Sequence, residues 1–327
     1  MTPTLMVPDA RTLFDRANRL RIMVVGDLMV DEWIWGTVTR ISPEAPVPVV
    51  AVVDHSFTLG GAGNVANNLR ALRARVVFVG AVGDDAFAGQ VRDLLHGEEV
   101  DDSGVFTIVD RPTTRKTRIV AHSQQVVRAD WESTATLSGA DRHRIAEFVR
   151  ERAPQCDAVI LSDYAKGLLC REIVDAASRC ALVLADPKPQ NIELYNGITC
   201  VAPNAAEAAT MTGIAIRDDA DLERAGLRLI EMLGCRYAVI TRGEHGMALF
   251  GKAGERLQIP SVAHTVYDVS GAGDTVTAVL GLALAAGAPI EQAMQLANFA
   301  AGVVVEKLGT ATASPEEILA LVDPAAQ

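Results

Sequence analysis

The sequence predicts an α/β protein with three layers, in which helices cover both faces of a mostly parallel central sheet. From residue 140 onward, short apolar runs alternate with helical patterns, and continuous apolar strands are typical of a parallel sheet that is buried on both faces. The chain has 327 residues and is 49% hydrophobic, which suffices for one large domain over 1–327. We expect strands of this sheet at 158–161, 182–185, 199–202 and 238–241.

The first half of the chain supplies the remaining parts of this core. Residues 10–19 have the pattern of an amphipathic helix, and residues 22–25 form an apolar strand. Glycines at 60–63 lead into a helix with apolar positions up to residue 72, and residues 76–79 predict the next strand. Gly83, Asp84 and Asp85 are expected to cap a further helix.

Two segments, at about 35–57 and 104–130, do not fit this alternation. Pro43, Pro46 and Pro48 exclude a helix from the first segment. In the second, residues 114–120 and 124–128 have the pattern of a β-hairpin. We expect the two segments to form a small β-sheet lid that closes over a site. Because an exposed sheet edge can pair with another chain, the lid also predicts a homodimer.

Composition and charge exclude several classes of protein. The net charge of −11 argues against a nucleic-acid partner. Residues 1–20 contain Asp9 and Asp15 and no apolar core, so they do not predict a signal peptide, and the apolar run at 276–290 is too short to span a membrane. The five cysteines lie singly, which indicates reduced thiols rather than a metal site. We expect a cytoplasmic protein that acts on small molecules.

Polar side chains follow each of the last predicted parallel strands. Because the carboxyl ends of parallel strands meet at one edge of a sheet, this pattern predicts the rim of an active site. The rim residues would be Asp163, Lys166, Asp186, Lys188, Asn204, Glu207, Arg242, Gly243 and Glu244.

The stretch 268–275, Asp-Val-Ser-Gly-Ala-Gly-Asp-Thr, precedes an apolar run typical of a helix. Small residues before a helix N-terminus leave backbone N–H groups free to hold an anion. Asp274 puts a carboxylate into that positive environment. A phosphoryl-transfer site has a use for it, as the base that takes a proton from the attacking hydroxyl. The alternative is a tight turn in which Asp274 caps the helix.

Other polar groups are also open to two interpretations. Asp31, after the first strand, either touches a sugar hydroxyl or belongs to turn chemistry. Asn64 either recognises a polyhydroxyl ligand or caps its helix. Lys116 and Arg118 share one strand face and either meet an anionic substrate or form the solvated side of the lid. The small residues after Asn298 favour close helix packing over contact with a flat ligand.

Two nucleotide-binding motifs are rejected. Residues 246–252 nearly match a P-loop, but position 253 is Ala, which offers no hydroxyl for magnesium, and residues 247–250 predict a strand. The dinucleotide fingerprint fails because Val276 stands where a third glycine would be required.

Three motifs, at 60–64, 204–207 and 268–275, together resemble the ribokinase (PfkB) family of carbohydrate kinases, over essentially the whole chain. Segments 40–49, 162–167, 186–188 and 307–310 are most similar to the family's kinases of D-glycero-D-manno-heptose 7-phosphate in ADP-heptose and lipopolysaccharide core precursor synthesis. Those kinases occur alone or joined to a C-terminal nucleotidyltransferase domain. Because this sequence ends at Gln327, we expect the kinase part alone. Gly63 and Ser270 depart from the Ala and Thr of those kinases.

The resemblance implies a ribokinase-like fold, ATP and Mg²⁺ as cofactors, and K⁺ as a monovalent cation. Asp274 would be the catalytic base, beside an anion hole of N–H groups. The implied roles are an anion hole from Gly271, Ala272 and Gly273; sugar contacts from Asp31, Gly60, Gly61 and Asn64; nucleotide contacts from Asn204, Thr241, Gly243 and Asn298; Mg²⁺, mostly through water, at Asn204 and Glu207; and the monovalent cation at Asp268 and Ser270.

The implied reaction is phosphorylation of the 1-hydroxyl of heptose 7-phosphate by ATP. A substrate that already carries a phosphate needs cationic anchors. The candidates are Lys116, Arg118, Arg128 and Lys188, with Lys188 favoured because it follows a strand of the rim. The alternatives are another sugar kinase of this family acting on a fructose phosphate, ribose or a nucleoside, and an inactive sugar- or nucleotide-binding regulator. The retained Asp274 argues against the regulator.

Overall fold

The computed structural model describes residues 5–122, 124–263 and 265–322. The strands are β1 (Arg21–Gly26), β2 (Leu28–Ile41), β3 (Pro48–Gly61), β4 (Arg75–Gly83), β5 (Asp101–Ile108), β6 (Arg115–Ala121), β7 (Gln124–Trp131), β8 (Ala158–Ser162), β9 (Val183–Asp186), β10 (Cys200–Val201), β11 (Tyr237–Thr241), β12 (Met247–Gly251) and β13 (Arg256–Ile259). The α-helices are α1 (Val7–Ala17), α2 (Ala62–Ala71), α3 (Ala86–Gly97), α4 (Gly139–Arg152), α5 (Arg171–Ala177), α6 (Ala205–Thr212), α7 (Asp219–Leu233), α8 (Ala272–Ala285), α9 (Ile290–Val305) and α10 (Pro315–Val322).

Nine of these strands form the central sheet, in the order β13-β12-β11-β10-β9-β8-β1-β4-β5. The strands from β11 to β5 run parallel, and β12 and β13 add an antiparallel edge. The predicted parallel sheet is therefore confirmed. The near match to a P-loop at 246–252 contains β12, as the sequence predicted.

Helices cover both faces of the sheet, because consecutive strand side chains point to opposite faces. On β1, Ile22 and Val24 pack with α1, α2, α3, α8, α9 and α10, whereas Met23 and Val25 pack with α4 to α7. These two apolar clusters make the three layers that the sequence predicted. No α-helix among the described residues is long and apolar enough to cross a membrane.

The other four strands form a small sheet in the order β3-β2-β6-β7. The predicted hairpin is confirmed as the antiparallel pair β6 and β7. The predicted start of each of the two lid segments, at residues 35 and 104, needs correction. The small sheet begins at Leu28 rather than near residue 35, and residues 104–108 belong to β5 of the central sheet. Gly104 pairs with Val79 of β4 there, and burial of Val105 and Ile108 fixes that strand to the core.

Candidate active site

Polar residues from several strand ends meet in one pocket at the carboxyl edge of the central sheet, as the sequence predicted. We call it the central pocket; its volume is about 150 Å³. Residues after β8, β9, β10 and β11 reach it, together with the start of α8. It is lined by Tyr164, Asp186, Lys188, Ala202, Asn204, Glu207, Thr241, Gly271, Gly273 and Asp274.

Asp274 lies in the first turn of α8 and is 4% exposed. Its Oδ2 accepts a hydrogen bond from Asn64 Nδ2 at 2.8 Å, and its Oδ1 accepts one from the Tyr164 hydroxyl at 2.5 Å. No side chain of the described residues caps α8. The cap interpretation of Asp274 is therefore wrong, because its carboxylate is held by side chains from α2 and from the end of β8.

The environment of Asp274 suits proton transfer near neutral pH. Burial raises the pKa of Asp274 to about 6, while hydrogen bonds from Tyr164 and Asn64 and the charge of Lys188 oppose that rise. A carboxylate with this pKa is mostly ionised at pH 7 and is more basic than an ordinary aspartate, which favours it as a general base.

Gly271 brings the N-terminus of α8 close to Asn64 of α2. Its φ is +76°, a conformation that glycine adopts without strain, and a Cβ added there would collide with Asn64 Nδ2. The close approach of α2 and α8 thus requires a glycine at 271, whereas a Cβ at Gly273 would meet nothing within 4 Å.

Lys188 stands on the same side of the pocket as Asn204 and Glu207. Its Nζ forms an ion pair with Glu207 and lies 5.5 Å from the centre of the Tyr164 ring. Asn204 and Glu207 cap α6 reciprocally, each side chain accepting from the other's backbone N–H. Burial would lower the pKa of Lys188, but Asp186 and Glu207 raise it, so the ammonium is charged at neutral pH.

A second, apolar cavity of about 420 Å³ adjoins the central pocket. The predicted nucleotide residues Thr241, Gly243 and Asn298 line it together, and Thr241 and Gly273 line both spaces. Asn298 donates from Nδ2 to the Pro260 carbonyl at 2.8 Å, which fixes its amide in the wall.

A third cavity, of about 530 Å³, lies under the small sheet and adjoins the loops before α8 and after α9. The stacked rings of Trp33 and Trp35 form part of its wall, opposite Asp268 and Gly309. Gly271 connects it to the central pocket, because a Cβ on Gly271 would lie 3.5 Å from the methyl group of Thr310. The central pocket therefore adjoins both other cavities.

Three basic residues of the small sheet, Lys116, Arg118 and Arg128, share the face that carries Trp33 and Trp35. Arg118 Nη1 binds Asp31 Oδ1 at 2.5 Å, and its guanidinium lies 4.9 Å from the centre of a Trp33 ring. Lys116 Nζ lies 3.8 Å from Asp130, which also binds Arg128 of its own strand. Lys116 and Arg118 are 19% and 17% exposed, but Arg128 is 48% exposed. Arg128 is thus the most solvated of the three.

The glycine-rich start of α2, which the resemblance assigns to sugar contacts, is buried among other side chains. Asn64 is 0% exposed and donates to Asp274, so it holds this carboxylate instead of lining a cavity. Gly61, with φ +56°, precedes α2 and is packed against Met29. Gly60 packs closely against Asp31, because a Cβ at Gly60 would lie 2.5 Å from Asp31 Oδ2.

Asp268 braces the loop before α8. Its Oδ1 accepts from the Ser270 N–H at 2.9 Å, and its Oδ2 accepts from the Gly309 N–H at 3.0 Å. Burial would raise the pKa of Asp268, but these hydrogen bonds lower it. Ser270 is exposed.

Most of the chain, including the residues of this site, matches a known protein family. The family described as pfkB family carbohydrate kinase matches residues 19–317. The chain belongs to the pfkB family of carbohydrate kinases. The resemblance in its motifs is therefore confirmed.

Curated relatives of this pfkB kinase carry the name bifunctional protein HldE. One from Desulfatibacillum aliphaticivorans is 46% identical over 309 residues, 92% of this chain and 62% of the relative. One from Geobacter metallireducens is 46% identical over 316 residues, 95% of this chain and 64% of the relative. The chain thus spans less than two thirds of these relatives.

Solved structures share the fold at low identity. Arabidopsis thaliana ribokinase, complexed with ribose and ATP, matches with a TM-score of 0.74 and 22% identity, covering 93% of this chain and 99% of that one. Escherichia coli phosphofructokinase-2, in complex with potassium, matches with a TM-score of 0.78 and 17% identity, covering 94% and 100%. The ribokinase-like fold of this pfkB kinase is therefore confirmed.

Sequence reasoning missed two contributions to the pfkB kinase site. Tyr164 lies in the segment 162–167 after a rim strand, but its contact with Asp274 spans 110 positions. Trp33 and Trp35 alternate on β2 and could have been found from that spacing. Conversely, Asp163 and Lys166 do not join the rim: Asp163 binds Asn191 and Tyr195, and Lys166 pairs with Glu132.

Proposed function

We propose that this kinase transfers the γ-phosphoryl group of ATP to the 1-hydroxyl of D-glycero-D-manno-heptose 7-phosphate. The observation that carries the proposal is the position of Asp274, buried in a pocket that adjoins both an apolar cavity and a cavity under the small sheet. ATP would occupy the apolar cavity and the sugar the other, so that the two substrates meet at Asp274.

The chemistry follows from that arrangement. The sugar oxygen attacks the γ-phosphorus in line, its bond to phosphorus forms as the bond to ADP breaks, and its proton passes to Asp274. Backbone N–H groups at Gly271, Ala272 and Gly273 would stabilise the charge on the transferred group. Holding both substrates in one reactive geometry supplies much of the remaining rate enhancement.

Mg²⁺ fits this site as an ion held mainly through water. Asn204 and Glu207 already bind each other's backbone, and Glu207 also binds Lys188, so their oxygens suit water-mediated contacts. Asp186 also lines the pocket and offers carboxyl oxygens as metal ligands. Burial raises the pKa of this carboxyl well above its ordinary value. When bound, the ion would neutralise charge on the ATP phosphates.

A monovalent cation, K⁺ by analogy with the potassium complex of phosphofructokinase-2, is proposed beside the loop before α8. Asp268 is the anchor, because the low pKa of its carboxyl keeps it charged and each oxygen retains a free lone pair. Ser270 would contribute from the same loop. Activity in K⁺ buffers compared with tetramethylammonium buffers tests this requirement.

The basic residues divide into two groups in this proposal. Lys188 is adjacent to Asp274 and Glu207, so we assign it to the transferred phosphate and no longer favour it for the 7-phosphate. Lys116 and Arg118 lie on the cavity face of the small sheet, away from the central pocket. They are the better anchors for a phosphate at the far end of the sugar, with Asp31 and Gly60 near its hydroxyls.

Arg118→Gln is expected to raise KM for heptose 7-phosphate about 100-fold, since a charge-assisted hydrogen bond to phosphate is worth about 1.5–3 kcal/mol. The same change should affect KM for unphosphorylated heptose much less. Steady-state kinetics with both sugars measure this. Arg128→Gln is the matched control, because Arg128 is more exposed and bonded within its own strand. Equal effects on both sugars would remove Arg118 from the phosphate site.

The heptose assignment rests on motif resemblance and on the relatives named bifunctional protein HldE, whose kinase half this chain would match. The test is a panel of heptose 7-phosphate, fructose 6-phosphate, fructose 1-phosphate, ribose and adenosine, with ADP release coupled to NADH oxidation. We expect kcat/KM for heptose 7-phosphate to exceed every other value at least 100-fold. Comparable turnover of an unphosphorylated sugar would contradict the proposal.

The small sheet would act as a lid that excludes water from the transfer step. It also exposes apolar side chains near the β2–β3 turn and on β7, among them Ile41, Val52, Val53 and Val127. We propose that these surfaces pair in a homodimer. Light scattering of the protein and of a Val53→Lys variant tests it, since a charge there should favour monomers.

A further inference from the structure

We propose that Tyr164 is a positioning residue for Asp274, whose hydroxyl holds the base in the orientation and charge state that proton transfer needs. The inference rests on the proposed role of Asp274 as the base. Tyr164 lies in the segment 162–167, outside the three motifs at 60–64, 204–207 and 268–275, and it follows β8 on a separate loop.

The contact itself is short and directional. The Tyr164 hydroxyl donates to Asp274 Oδ1 at 2.5 Å, while Asn64 donates to Oδ2 at 2.8 Å. Each carboxylate oxygen thus has one lone pair engaged by the protein. The carboxylate cannot rotate without breaking one of these bonds, so a remaining lone pair points in a fixed direction.

The loop that carries Tyr164 is held by buried carboxylates. Asp27 accepts hydrogen bonds from the backbone N–H groups of Tyr164, Lys166 and Leu168. Asp163 accepts from the Ala165 N–H, and Ala165 has φ +54°, which is unfavourable for a residue with a Cβ. A strained conformation persists only where its surroundings fix it, and such strain concentrates at functional sites.

The charges around Asp274 explain why a neutral donor is useful there. Asp31 places negative charge near it, and Lys188 places positive charge. Burial raises the pKa of Asp274 towards neutrality, and the Tyr164 hydroxyl is the largest of the opposing effects. Burial and the Asp274 charge also raise the pKa of Tyr164 well above its ordinary value, so the hydroxyl keeps its proton and remains a donor.

Tyr164→Phe removes the donor and keeps the ring that lies beside Lys188. The acidic midpoint of kcat/KM against pH, which the pKa of Asp274 leads us to expect near 6 in the native enzyme, should move up by about one pH unit, since a hydrogen bond to a charged group is worth about 1.5–3 kcal/mol. The variant would lose about fivefold at pH 6 and recover towards the native value at pH 8.5. An unchanged midpoint, with or without a uniform loss of activity, would overturn the inference.

Tyr195→Phe is the matched control. Tyr195 also donates to a buried carboxylate, Asp163 Oδ2 at 2.6 Å, but it does not touch Asp274. This variant should lose thermal stability without moving the midpoint. If Tyr164→Phe fails to fold, 3-fluorotyrosine at position 164 replaces it, because a more acidic phenol is a stronger donor and should move the midpoint down. A midpoint that stays in place, or moves up, would again contradict the proposal.

Asp274→Asn separates this inference from the function on which it rests. An active Asp274→Asn enzyme would remove the base assignment, and with it the inference. An inactive Asp274→Asn enzyme combined with an unchanged midpoint in Tyr164→Phe would leave the proposed function standing and reject only the role of Tyr164.

Discussion

Asp274→Asn is expected to lower kcat by about 10²–10⁴-fold while ATP affinity stays within a few-fold. The amide cannot take the proton of the attacking hydroxyl, yet it has nearly the same shape as the carboxylate. Its oxygen can accept from Asn64, and its NH₂ can donate to the Tyr164 hydroxyl, which is able to accept as well. Steady-state kinetics and calorimetric titration with ATP measure the two quantities.

The same substitution should not destabilise the fold at neutral pH. The pKa of Asp274 is about 6 in the folded protein and 3.8 as its ordinary value, so the folded state binds more protons between these pH values. The stability that this side chain contributes is present below about pH 4 and is lost as pH rises through about 6. Because the amide does not ionise, the free energy of unfolding of Asp274→Asn should rise relative to that of the native protein over this pH window, by on the order of 3 kcal/mol.

Urea unfolding at pH 4.5 and pH 7.5 measures that difference. A variant that unfolds more easily at pH 7.5 would mean that the buried carboxylate stabilises the fold. Turnover close to the native rate would instead show that Asp274 is not the base.

Gly271→Ala is expected to reduce kcat/KM by at least about 100-fold and to lower stability by about 1–3 kcal/mol. The new methyl group would have to occupy the place of Asn64 Nδ2, which holds Asp274, and φ +76° strains any residue with a Cβ. The first effect displaces the Asn64 amide that holds the Asp274 carboxylate. The second effect lowers stability alone. Kinetics and thermal unfolding separate them.

Gly213→Ala is the control for that strain. Gly213 has φ +71° after α6, nearly the same conformation, and a Cβ there meets nothing within 4 Å. It should lose a similar amount of stability from strain but keep native kcat/KM. If both glycine variants lost activity equally, the close packing of Gly271 on Asn64 would not explain the effect.

Much of the core could be predicted because its signals are local. Continuous apolar runs define β8, β9 and β11, and the predicted rim residues Asp186, Lys188, Asn204 and Glu207 do meet in one pocket, whereas Asp163 and Lys166 do not. The segment at 104–108 was assigned to the wrong sheet because an edge strand of the core and a lid strand have similar patterns. Only pairing with β4, across more than twenty residues, decides between them.

Contacts within the site depend on distances that no local pattern contains. Asn64 and Tyr164 reach Asp274 from elements 210 and 110 positions away. The sequence could therefore identify Asn64 as a polar residue near the start of a helix. It could not show that the Asn64 amide donates its hydrogen bond to Asp274. Likewise, Lys188 follows a rim strand as predicted, yet its ion pair with Glu207 sets which end of a substrate it can meet.

Phosphorus-31 NMR of the products of heptose 7-phosphate, ATP and Mg²⁺ with this enzyme tests the central claim most directly. The account predicts a new phosphate signal coupled to the anomeric proton, with the 7-phosphate signal retained and one ADP formed for each sugar phosphorylated. Inorganic phosphate formed in step with ADP, or a new phosphate on another hydroxyl, would contradict the account.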